Sequence, residues 1–109
     1  NLITLNMLSN DSPETSENKL YIKNYPNPFN PVTTIAYNIP KTDFVDISVY
    51  NSKGQLIKTL FKGNKQKGSY HDLVWDGKDN KGKDSVSGIY LLILKSSYTN
   101  NGKKLILLK

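Results

Sequence analysis

His71 is the only histidine in the chain, and chemistry there would need a serine–acid pair or a second metal ligand nearby. Neither is in evidence. Asp72 follows directly and so projects from the opposite face of a strand, while His71 shares the parity of Leu73 and Trp75 and is expected to border the core. The densest run of oxygen ligands is Trp75-Asp76-Gly77-Lys78-Asp79-Asn80-Lys81-Gly82-Lys83-Asp84. Its carboxylates, Asp76, Asp79 and Asp84, are interrupted by three lysines and depart from EF-hand spacing. A charged turn is the first reading; a weak calcium site on those three residues is the second, and calcium is the only cofactor in view. Cysteine is absent, which removes thiolate chemistry, disulfides and cysteine–zinc sites. With no paired carboxylates, nucleophile motif or phosphate-cradling glycine loop, the chain is expected not to be an enzyme.

The formal net charge is +6, yet all fifteen basic residues are lysine. Base readout and bidentate phosphate contact favour the guanidinium fork, and these lysines are scattered over turns and strand ends. No nucleic-acid partner is therefore expected. A solvated basic surface is the first reading, and attraction to an acidic glycan, lipid or protein surface the second. No apolar run reaches the length of a membrane-spanning helix.

Binding or catalytic groups need elements to hold them, and the texture from Lys19 onward is strand, turn, strand. Strands are predicted over 20–23, 32–39, 44–50, 55–61, 70–75, 89–95 and 103–108. Thr33/Ile35/Tyr37/Ile39 and Val45/Ile47/Val49 alternate with more polar neighbours, the mark of half-buried strands. Leu56, Ile57 and Leu60 break parity, which points to a bulge or an edge. Ile89-Tyr90-Leu91-Leu92-Ile93-Leu94 is apolar throughout and reads as a central strand covered on both faces. Turn chemistry falls at Ser52-Lys53-Gly54, Gly63-Asn64, Asn80-Lys81-Gly82 and Asn100-Asn101-Gly102, with Asn101-Gly102 expected to close a two-residue hairpin. The fold expected is all-β, an immunoglobulin-like or fibronectin III-like β-sandwich of about seven antiparallel strands with Trp75 filling its core.

Residues 1–18 read as a linker or the end of a preceding domain, and 19–109 as the globular unit. The chain begins at Asn1, Met7 is its only methionine, and the polar stretch before Lys19 includes Pro13 and both glutamates. The whole is read as a piece of a longer protein. Asn10-Asp11-Ser12 fits a glycosylation sequon, a match too short to weigh.

Tyr25-Pro26-Asn27-Pro28-Phe29-Asn30-Pro31 cannot be a central strand, because Pro26, Pro28 and Pro31 lack backbone donors. It reads as a stiff strap along a sheet edge, blunting that edge, with Phe29 as the plug that pins it. At the other end, Lys103-Lys104-Leu105-Ile106-Leu107-Leu108-Lys109 is a lysine-bracketed apolar strand. Its free edge is expected to offer backbone groups for strand addition to a receptor.

These segments, taken with Val49-Tyr50-Asn51, Gly54-Gln55, Val74-Trp75-Asp76-Gly77 and Ser87-Gly88-Ile89-Tyr90, resemble the type A C-terminal sorting domain of the type IX (Por) secretion system. They are also similar to the related immunoglobulin-like domain of flagellar-hook capping proteins. The resemblance covers about residues 20–109. It implies a domain joined to an N-terminal passenger and recognised by the outer-membrane secretion translocon and surface-attachment machinery of Bacteroidetes-like bacteria. The passenger would cross the periplasm and end at the cell surface or in the medium. Gly88 and Tyr90 match the family's internal glycine–tyrosine motif; Lys104, Leu105, Ile106, Leu107, Leu108 and Lys109 match its terminal basic–apolar–lysine motif. The competing expectation is an accessory immunoglobulin-like module that binds glycan or protein, or spaces domains, beside a secreted enzyme. A glycan binder would need Tyr21, Tyr70 and Tyr98 on one exposed face.

Overall fold

The computed structural model describes residues 19–109; the linker or preceding-domain segment expected over 1–18 lies outside the described residues. Seven strands follow in order: β1 (Tyr21–Tyr25), β2 (Thr33–Ile39), β3 (Asp43–Asn51), β4 (Leu56–Lys65), β5 (Gly68–Trp75), β6 (Gly88–Lys95) and β7 (Asn100–Leu107). They form two antiparallel sheets, one ordered β1-β2-β5 and the other β4-β3-β6-β7. The chain is an all-β, immunoglobulin-like sandwich. Among the described residues no helix is long and apolar enough to cross a membrane.

Alternation places the core. Thr33, Ile35, Tyr37 and Ile39 on β2 face Val45, Ile47 and Val49 on β3, with Tyr90, Leu92 and Leu94 on β6 and Leu105 and Leu107 on β7 completing the inner layer. Trp75 is fully buried at the end of β5, with Phe29 at 5.4 Å and Tyr90 at 5.2 Å between ring centroids. Tilted and edge-on contacts of this kind suit the ring quadrupoles. The indole N–H donates to the Lys78 carbonyl at 2.9 Å, so the largest core side chain leaves no polar atom unsatisfied. Gly77, at φ +80°, lets the chain turn under this cluster; a Cβ there would sit 3.4 Å from the Pro31 carbonyl oxygen and against Leu107.

Four local expectations change. β4 is an edge strand with register shifts against β3, as its broken parity indicated, but it runs on through Gly63-Asn64 to Lys65. Those two residues pair with Val45 and Phe44 and make no turn. The β6–β7 hairpin is antiparallel, yet its loop is 96–99. Ser96 Oγ accepts from the Tyr98 and Thr99 amides, and Asn101 and Gly102 lie in the ladder opposite Leu94 and Ile93. His71 is exposed and does not border the core. A register shift between Ile35 and Tyr37 places Tyr70 and Leu73 opposite them, so an extra β5 residue reverses the parity at 71–72. Finally, β6 is central but covered on one face only: Ile89 and Leu91 remain 50% and 40% exposed.

Candidate recognition site: the strap and the terminal strand

The proline segment runs beside β7. Phe29 makes a parallel bridge to Leu107: its N–H donates to the Ile106 carbonyl and its carbonyl accepts from the Leu108 N–H, both at 2.9 Å. Two residues earlier a side chain continues the ladder. Asn27 Nδ2 donates to the Lys104 carbonyl at 2.9 Å, and Asn27 Oδ1 accepts from the Ile106 N–H at 3.0 Å. A carboxamide carries the same donor and acceptor as a peptide group, so Asn27 acts as one more strand residue although its neighbours are prolines. Pro26 and Pro28 have no N–H to offer outward, so no further strand is templated at these positions. Phe29 is 2% exposed, and its ring holds the strap to Trp75. Pro31 closes the segment over Gly77. Behind it Thr33, fully buried, donates to the Pro26 carbonyl at 2.9 Å and accepts from Asn24 at 3.0 Å.

The free edge expected on the terminal strand is therefore closed. Over Lys104–Leu108 the edge groups that point away from β6 are taken by Asn27 and Phe29, and strand addition there would have to displace a buried phenylalanine. The strap was legible from its prolines. The part played by Asn27 was not, because its partners lie 77 and 79 residues away.

β7 splits the terminal motif by parity. Leu105 and Leu107 are fully buried, Ile106 is half-buried on the outer side, and Lys104, Leu108 and Lys109 are exposed. The β6 ladder sets the glycine–tyrosine motif beside it, Gly88 opposite Leu107, Ile89 opposite Ile106 and Tyr90 opposite Leu105. Tyr90 is buried at 4% exposure and its hydroxyl donates to the Val86 carbonyl at 2.6 Å. The Lys109 N–H donates to Ser87 Oγ at 2.9 Å, and its ammonium lies 3.8 Å from Asp84. The hydrogen bond from Lys78 at 2.7 Å, with Lys109 beside it, holds the Asp84 carboxyl below its usual range.

The acidic loop is a set of closed turns. Asp76 accepts from the Lys78 amide at 3.0 Å, and Asp79 accepts from the Lys83 and Lys81 amides, each at 2.9 Å. Those two amides, that of Lys83 first, hold Asp79 below the ordinary carboxyl range. Asp84 is spent on lysines. The three carboxylates do not converge, and among the described residues no group of three His, Cys, Asp or Glu is placed to hold a metal. Nor do the tyrosines make a platform: Tyr70 stacks on the buried Tyr37 ring at 5.2 Å, while Tyr98 sits on the 96–99 loop under the Lys41 ammonium.

Over residues 32–100 the chain matches the family described as the FlgD Ig-like domain. No curated protein matches it. Among solved structures it is similar to dimeric latent PorU from Porphyromonas gingivalis, with a TM-score of 0.57 and 23% identity over 80% of this chain and 9% of that one. FlgD from P. aeruginosa superposes with a TM-score of 0.50 and 21% identity, covering 78% of this chain and 70% of that one. PorZ of Porphyromonas gingivalis, a surface component of the type IX secretion system, gives 0.53 and 17% identity over 90% of this chain and 13% of that one. At these identities the likeness is one of fold, and this chain spans only a small part of PorU and of PorZ. With well over half of its length matched, the chain belongs to the FlgD Ig-like domain family.

Proposed function

We propose that this domain is a type A sorting domain. It would direct a passenger joined on its N-terminal side through the type IX secretion system, by way of the periplasm, to the cell surface or the medium. The partners would be the outer-membrane translocon and the surface-attachment machinery, and the role needs no catalysis. One observation carries the reading: the two motifs of the sorting resemblance meet in one ladder. Gly88 and Tyr90 lie across from Leu107 and Leu105, so the buried half of the terminal motif builds the core while Lys104, Ile106, Leu108 and Lys109 remain on the outside to be read. The fold likeness to PorZ supports it.

The accessory-module reading draws on a different fact. The family match ends at residue 100, before the terminal motif, so the shared part of the domain does not include the proposed signal. A fluorescent reporter that carries an inner-membrane export signal and is fused ahead of residues 1–109 separates the two in a bacterium with a working type IX system. The sorting reading expects reporter outside the cells, with none released from a translocon-deficient strain. Retention of the reporter in both strains would leave the accessory module standing.

A further inference from the structure

With the β7 edge closed by the strap, the terminal strand is accessible through its outer face, and that face continues across the four-stranded sheet. Outward positions of a solvated sheet are normally polar. Here Ile89, Leu91 and Ile93 occupy three successive outward positions on β6. The ladder places Ile106 opposite Ile89 and Tyr50 opposite Leu91, so the five side chains adjoin across three strands. Ile89 and Leu91 are exposed, and Tyr50, Ile93 and Ile106 beside them are half-buried. The flanks of this sheet are occupied in part as well: Asn27 and Phe29 lie along the end of β7, and on β4 the Asn80 amide donates to the Ile57 carbonyl at 2.9 Å while its Oδ1 accepts from the Thr59 amide at 3.1 Å.

The charge beside the centre of the patch is basic. Lys104 stands opposite Leu91, and the Lys95 ammonium lies 5.4 Å from the centre of the Tyr50 ring. Further out, Lys62 pairs with Asp46, whose Oδ1 already accepts from Ser48 at 2.6 Å, and Asp84 by the Ile89 end is engaged by Lys78 and Lys109. The outer face of β1-β2-β5 is more mixed: Ser69 and Asn38 are bonded to one another there at 2.8 Å, and the exposed Val74 and Tyr25 stand on either side of Thr34.

We infer that the outer face of β3-β6-β7, centred on Leu91, is a protein-docking surface whose partner presents an apolar patch rimmed by acidic side chains. The inference rests on the sorting reading and names the surface through which the secretion machinery would read the terminal strand. The apolar centre supplies the affinity and the lysine rim the encounter rate and register. A flat ladder with its apolar groups in mid-sheet suits a protein surface better than a lipid one, which takes up side chains projecting from loops or helices.

The test uses the reporter fused to residues 1–109 in the type IX-competent host. Ile89→Gln with Leu91→Gln is expected to lower the exported fraction about ten-fold or more, with the melting temperature of the purified chain held within about 3 °C of wild type. The reversal Lys95→Glu with Lys104→Glu is expected to do the same, and Val74→Gln on the other sheet to change nothing. Export of either double variant at the wild-type level overturns the inference while leaving the sorting reading intact. If the wild-type fusion itself stays inside, the sorting reading fails and this surface loses its partner. Three other occupants would also overturn it. One is a dimer by light scattering that Leu91→Gln dissolves. A second is co-sedimentation with phosphatidylglycerol vesicles that the same change abolishes. The third is a spin label at position 91 that broadens the signals of residues 1–18, which would make the chain's own segment the occupant.

Discussion

The two edges of the four-stranded sheet meet the same hazard, a row of unpaired backbone groups, and are protected in different ways. Along β7 the protection is a parallel segment, a plug and a staple together. A proline segment lies parallel to the strand, Phe29 anchors it in the core, and the Asn27 carboxamide replaces the peptide group its prolines cannot supply. Along β4 the protection is piecemeal. Asn80 caps Ile57 and Thr59, and at the far end Lys65 reaches Asp72 of β5 at 3.3 Å; between them the exposed Lys62 discourages pairing by charge alone. Both edges use an asparagine as a stand-in strand, but only β7 backs it with buried aromatic surface. The firmly closed edge is the one that carries the terminal motif, so the strap holds that strand in register while its outer face stays uncovered.

The comparison breaks most sharply at Phe29. Phe29→Ala removes a ring buried against Trp75 and should cost about 3–5 kcal/mol in urea unfolding. Because the strap hangs from that ring, hydrogen exchange at the Leu108 and Ile106 amides should accelerate beyond what the global loss explains. A cost below about 1 kcal/mol would mean that the strap is pinned elsewhere.

The two asparagines give the next, smaller contrast. Asn27→Ala orphans the Lys104 carbonyl and the Ile106 amide in a partly exposed setting, for about 1–2 kcal/mol, whereas Asn80→Ala frees only the Thr59 amide and keeps its backbone bond to Ile57, for about 0.5–1 kcal/mol. Amide exchange should rise at Ile106 in the first variant and at Thr59 in the second. Equal losses would remove the distinction between the edges.

Much of this frame was readable in advance because it depends on period and on missing donors. Alternation at Thr33–Ile39 and Val45–Val49 located the core, and the prolines announced a strap with Phe29 as its plug. What escaped depends on contacts remote in sequence or on a single inserted residue. The β5 bulge turns His71 outward, and no local composition signals it. Ser96 closes its hairpin with a side-chain oxygen, which outcompeted the Asn101-Gly102 signal by moving the register. The run 89–94 looked doubly covered because apolarity records a residue's preference and not what the fold places over it. Asn27 could have been suspected from its setting alone, as a polar side chain between two residues unable to donate.

The last contrast is electrostatic. The strap is held by neutral amides, whereas the far end of β4 depends on Tyr37, Lys65 and Asp72. The Tyr37 hydroxyl donates to Asp72 Oδ1 at 3.0 Å and Lys65 lies on Oδ2. For Asp72 burial is the largest single influence and opposes ionisation, but the Tyr37 and Lys65 contacts together outweigh it and its carboxyl titrates below the ordinary 3.8. Tyr37 moves the other way: burial first, then the neighbouring carboxylate, raises its hydroxyl well above the ordinary 10.0. A depressed carboxyl contributes stability that is complete above its ordinary value and drains as pH falls through the folded one; a raised phenol contributes stability complete below its ordinary value and lost as pH climbs through the folded one. The pair should therefore stabilise the fold between these limits and weaken at both ends, with a small acid effect because Asp72 is half exposed. Tyr37→Phe, melted from about pH 2 to about pH 11, should lose most relative to wild type in mid-range, with the difference narrowing slightly at the acid end and starting to narrow at the alkaline end, while Asn27→Ala runs parallel to wild type over the range where carboxylates and tyrosine stay in one state. A constant offset for Tyr37→Phe at every pH would show that the hydroxyl matters only for packing, and the two edges would then differ in burial alone.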